Sequence, residues 1–133
     1  MKKFCILLLV AMFSCQPSGE SELKVLKDEV MAIHDEVMPQ MGDLRRTRKD
    51  LMLQADSLMA SDSVRATELN DLASKIEGAN EGMMQWMRAY EPDFAGSDEE
   101  IKNYLEAQKQ SIEKVRDEMK KSLADGKNAL GEE

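Results

Sequence analysis

The chain has 133 residues, a third of them charged, with a formal charge of −8, one His and two Cys. That length bounds it to one domain. The acidic balance argues against nucleic acid or an anionic membrane surface as partner, and a single His excludes every site that needs two, HExxH zinc sites included.

Lys2 and Lys3 precede an unbroken apolar run, Phe4 to Phe13. Ten helical residues span about 15 Å, half a bilayer's hydrocarbon core, so residues 1–14 read as a signal peptide and not as a membrane span. Met12-Phe13-Ser14-Cys15 resembles a lipobox, in which a small residue precedes a cysteine that is diacylated and becomes the new N-terminus. Ser14 fits that pattern; Phe13 is bulkier than usual and Met12 stands where Leu is commoner. Lipidation of Cys15 is the expectation, and plain secretory cleavage after Ser14 is the competing one. Either cut leaves 119 residues, 16 of them basic and 26 acidic, with Cys15 as the only cysteine. No intrachain disulfide can then form. Residues 15–22 are polar, hold Pro17 and Gly19, and read as a lipidated tether. Gln16 stands where an inner-membrane retention Asp would be expected, which points to the outer membrane, on its periplasmic face more than on the cell surface. The acidic tether also looks like the surface-export signals of Bacteroidota lipoproteins.

A first helix is predicted from about Glu20 to Ala60. Leu23, Val30, Val37, Leu44, Leu51 and Leu58 recur every seven residues, whereas the interleaved line turns polar at Gln40, Thr47 and Gln54. That is a coiled-coil-like seam, strong on one edge. Pro39 lacks the N–H for one helical bond, and with Gly42 it predicts a kink over 36–42 that preserves the heptad phase. Ser61-Asp62-Ser63 predicts a turn and N-cap. A second helix to about Tyr90 carries Leu69, Ile76, Met83 and Tyr90 on one line, and Leu72, Ala79 and Trp86 on another. Pro92 and Gly96 mark a loop. Ser97 and Glu100 form a capping box for a third helix with Ile101, Leu105, Ile112, Val115 and Met119, expected to fray near Gly126. The fold class predicted is all-α: an up-down-up antiparallel three-helix bundle over 23–126, with a weakly ordered tail at 127–133. The first helix is the longest, so its first turns are expected to overhang as a stalk.

The stretch Ala32-Ile33-His34-Asp35-Glu36-Val37-Met38-Pro39-Gln40-Met41-Gly42, with Met83-Met84-Gln85-Trp86-Met87, resembles recurring segments of small uncharacterised Bacteroidota envelope lipoproteins, some labelled as viral A-type inclusion protein-like. That label reflects coiled-coil composition. The resemblance implies an envelope lipoprotein and carries no activity.

Catalysis has little to stand on. His34 and Asp35 are neighbours about 100° apart on a helix and are not expected to face one another; no phosphate loop, EF-hand or CxxC motif is present. The expectation is a non-enzymatic structural or interaction module, held to the membrane by lipid on Cys15, whose partner is another helical protein or a second copy. Arg45, Arg46, Arg48 and Lys49 form a basic knot, which Asp71 and Glu77 on the second helix could pair.

Methionine is the anomaly, with 11 in the chain. Met31, His34, Met38 and Met41 form one stripe. If the first turn centres near residues 60–61, residue i lies beside residue 121 − i. Met38 then faces Met83, Val37 faces Met84, His34 faces Met87 and Met41 faces Asn80, with Trp86 alongside as a cation–π face and Tyr104 brought in by the third helix. Two uses compete. The residues can pack as a methionine–aromatic core. Alternatively, thioethers and imidazole can bind a soft metal, Cu(I) or Ag(I), more weakly as pH falls below the ordinary imidazole value of about 6.5.

Overall fold

A computed structural model describes residues 19–132. The signal peptide and Cys15 lie outside the described residues. Four α-helices follow in order: α1 (Gly19–Val37), α2 (Met41–Leu58), α3 (Ser63–Ala89) and α4 (Asp98–Leu130), with a 3-10 turn, Met38–Gln40, joining α1 to α2. Because α1 and α2 form one kinked rod, the architecture is an all-α three-helix bundle. No described helix is long and apolar enough to cross a membrane.

Pro39 produces the kink as its chemistry requires: the turn tightens to 3-10, and Met41 donates its N–H to the Met38 carbonyl. The backbone stays right-handed helical through the turn, so Val37 and Leu44 both reach the core, fully buried along with Val30 and Leu51. The polar edge of the seam departs from expectation at Thr47, which is buried. Asp62 caps α3 by accepting the Arg65 N–H at 3.0 Å. Along α3, Ala66, Ala73 and Ala79 alternate with Leu69, Ile76, Met83 and Trp86 in the core; the small residues let α2 and α4 close in. The capping box forms as predicted at the start of α4.

Three expectations are corrected. The helix does not fray at Gly126 but runs to Leu130 and ends at Gly131, which takes the left-handed conformation (φ 79°). Gly126 faces inward instead: a Cβ there would lie 2.8 Å from Thr47 Cγ2 and 2.9 Å from Ile76 Cδ1. The tether is shorter than predicted, since residues 19–22 already belong to α1. Nor do these turns overhang. Lys102 pairs with Glu22 at 2.6 Å, Lys109 with Glu29 at 2.7 Å and Lys120 with Glu36, so α1 lies parallel to α4 from its first turn.

Helices α1 and α2 divide the packing. α2 lies against α3 and α4, whereas α1 lies against α4 and keeps its backbone away from α3. Large side chains therefore make the contact between α1 and α3, His34 meeting Met87 and Trp86.

Candidate functional site

Between α1 and α3 lies His34, in the last turn of α1, opposite Trp86 and Met87 in the last turn of α3 and Tyr90, which caps its end. The His34 side chain is 16% exposed. Its Nδ1 lies 2.9 Å from Asp35 Oδ1 and its Nε2 lies 3.4 Å from Met87 Sδ. The expected separation of His34 and Asp35 is thus overturned: the short aspartate side chain bends along the helix surface to the ring. The dyad offers no hydrolytic relay, because the ring's far nitrogen faces a thioether and not a hydroxyl.

A ladder of rings runs from this point to the α3–α4 loop. His34 and Trp86 have centroids 5.8 Å apart; Trp86 stacks on Tyr90 at 4.8 Å. Tyr90 stacks near Tyr104 at 6.3 Å, and Tyr104 on Phe94 at 4.2 Å. Tyr104 Oη accepts the Glu91 N–H at 2.6 Å, tying the loop to α4. Burial pushes the Tyr90 hydroxyl above its ordinary value, helped by Tyr104 and Asp93. Trp86 Nε1, Tyr90 Oη and Asn80 Oδ1 are buried and find no hydrogen-bond partner among the described residues.

The register relation holds at His34 and Met87. It does not hold at Val37 and Met84, because Val37 enters the core while Met84 is 40% exposed. Met83 is fully buried, and Met38, Met41 and Met87 are half-buried against the core; Met31 is half-buried on the same face as His34. Asp35 and Phe94 join the cluster without any sequence expectation, and Tyr90, expected only on the helix seam, joins it as well. The i to i+4 spacing of Trp86 and Tyr90 was the available signal for Tyr90. No group of three or more His, Cys, Asp or Glu side chains converges to hold a metal ion among the described residues, which directs attention to the sulfur atoms.

The basic knot is partly neutralised. Arg48 reaches Glu77 across to α3 at 2.8 Å, and Arg46 turns back to Asp43 at 2.8 Å.

Fold and site together define a small all-α bundle with an imidazole set between a carboxylate and a thioether. The chain matches no protein-family model, no curated protein and no solved structure.

Proposed function

We propose that the protein is a lipid-anchored, non-enzymatic interaction module of the bacterial envelope, held to the outer membrane through Cys15, on its periplasmic face. The observation that carries this reading is the placement of exposed apolar side chains. Met52, Leu53, Met59 and Val64 all lie within about two helical turns of the α2–α3 connection, with Leu53 57% and Val64 71% exposed. The start of α1 is at the opposite end, beside the α3–α4 loop, where Lys27 donates to the Pro92 carbonyl. Forty helical residues separate the two ends by about 60 Å. Of the six exposed large apolar side chains among the described residues, Val25 lies near the tethered end and Met84 at mid-length, while Met52, Leu53, Met59 and Val64 gather at the far end, suited to meet a partner at a distance from the membrane.

That partner is a different helical protein in preference to a second copy, because two chains of the same strong negative charge repel one another. A photo-cross-linker at Leu53 or Val64 in intact envelopes should capture one neighbour, while light scattering of the purified protein shows a monomer. No adduct from either position, or a homodimer in solution, would overturn the partner assignment. The anchoring has its own test. Mass spectrometry should find lipid on Cys15, and Cys15→Ala should release the protein from membranes with its helicity unchanged; an unmodified Cys15 sinks the lipoprotein reading.

A further inference from the structure

We propose that His34 and Met87 form the fixed half of a binding site for a soft monovalent cation, Cu(I) or Ag(I), with Met38 as the third donor. The site does not depend on the partner reading above.

The inference rests on one ring proton with two claimants. A neutral imidazole carries its proton on one nitrogen only. At His34 the Nδ1 side offers the Asp35 carboxylate and the Nε2 side offers the Met87 thioether. A charged carboxylate is the far stronger acceptor, and a thioether is a weak one. The proton therefore sits on Nδ1, donated to Asp35, and the Nε2 lone pair is left facing the lone pairs of Met87 Sδ. Two electron-rich atoms pointed at each other across 3.4 Å are complemented by a cation between them. Metal-binding histidines are commonly oriented in this way, by a carboxylate on the ring nitrogen that does not bind the metal. The 3.4 Å separation is short enough for one ion to touch both atoms, bent at the ion and open on the far side to a third donor.

The donor set selects the ion. Thioether and imidazole suit a soft cation and leave hard ones poorly solvated. The Asp35 carboxylate supplies a compensating negative charge beside the ring, and the Trp86 indole, its centroid 5.8 Å from that of the imidazole, is near enough to report on the site. Among the remaining sulfurs, Met83 is locked in the core, Met84 faces solvent, Met31 lies one turn before His34 within regular helix, and Met41 lies about two turns beyond it. Met38 stands one turn beyond His34, half-buried, where the 3-10 turn replaces regular helix. Its long unbranched side chain can move to complete a three-coordinate site.

The test uses the full chain in detergent with Cys5 and Cys15 replaced by Ser, so that no thiol competes and lipidation plays no part. Titration with Ag(I) against a competing ligand should show one ion bound, with Kd below 1 µM on the order expected of a formed site. Fluorescence of Trp86, the only tryptophan, should fall in step. Met87→Leu and Met38→Leu, which keep side-chain volume, should each weaken binding at least about tenfold with helicity retained. His34→Asn should do the same. Met59→Leu, at the far end of the bundle, should change nothing. Binding weaker than 1 µM, more than one equivalent bound alike, or a Met87→Leu protein that binds as well as the parent would each overturn the site and leave a packed methionine–aromatic cluster.

Discussion

Gly126 of α4 sits against side chains of both α2 and α3. The Cβ it lacks would fall within 3.0 Å of both Thr47 Cγ2 and Ile76 Cδ1. Ile76 can swing its terminal methyl aside, but Thr47 Cγ2 is fixed to a β-branched carbon on a helix. Gly126→Ala should therefore destabilise. Overpacking costs about 1–3 kcal/mol, and the better helix propensity of alanine offsets about 1 kcal/mol of it. A net loss of about 1 kcal/mol in urea unfolding is expected, and Thr47→Ser in the same chain should restore most of it. A gain in stability from Gly126→Ala alone would show that the helices are not in close contact there. Tyr90 presents the opposite case. Its hydroxyl is buried without a partner, and an unsatisfied buried group costs about 1–3 kcal/mol. Tyr90→Phe keeps the ring stacked on Trp86 and removes that cost, so thermal unfolding should move upward or stay level. A clear drop in Tm would mean that the hydroxyl has found a partner.

At the scale of elements, α1 and α4 are matched by charge. Glu22, Glu29 and Glu36 are seven apart, as are Lys102 and Lys109, and Arg116, another seven on, adds its field to that of Lys120 at Glu36. Each exposed pair contributes little alone, but together they fix the register of two parallel helices, as flanking charges do in coiled coils. Exchanging the pair, Glu29→Lys with Lys109→Glu, should unfold at nearly the parent temperature, whereas either single change should lower Tm and make it rise with added salt. Equal effects of the single and double changes would remove the ladder from the account. The capping box sets a pH dependence. Hydrogen bonds from the Ser97 N–H, and then from its hydroxyl, hold the Glu100 carboxyl below the usual carboxylate range; bonds from Lys120 do so at Glu36 and from Arg88 at Glu81. A carboxyl with a lowered folded value adds stability that is present above its unfolded value, about 4.3 for glutamate, and lost as pH falls through the folded value. Tm should hold near neutrality and drop on acidification below about pH 4.3. Glu100→Gln, which removes the titrating carboxyl, should flatten part of that drop; an unchanged acid profile would show that the box does not persist in solution.

Taken as a whole molecule, the bundle is a rod with unlike ends. One end gathers the start of α1, the α3–α4 loop and the stacked Phe94 and Tyr104. The other gathers the α2–α3 turn, exposed Met59 and Val64, and the last turn of α4, tied down by Arg65 donating to the Ala129 carbonyl at 2.9 Å. Asp62→Ala, which removes the cap at that turn, should cost about 1 kcal/mol and loosen this end first. Hydrogen exchange should then rise at the start of α3 while the His34 level stays protected; uniform acceleration along the rod would show that its ends are coupled.

The heptad line Leu23 to Leu58 by itself determined the long first rod, because a helix buries only one stripe and the stripe's period is written in the chain. Pro39 determined the kink and Ser97 with Glu100 the start of α4, since both act through bonds within one turn. The pairing of His34 with Met87 was also legible, as two helices joined by a short turn have little freedom of register. Only the tertiary structure decided the rest. Gly126 looked like a helix end because glycine is flexible; it became an interior residue because α2 and α3 need the space a side chain would fill. Tyr90 joined the His34 cluster by stacking on Trp86, and Asp35 by reaching the ring from the exposed side of its own helix. Met84 turned outward although its neighbour in register turned in. Local bonds are fixed by sequence spacing, whereas the distance between helices is set by every residue on all the facing surfaces at once.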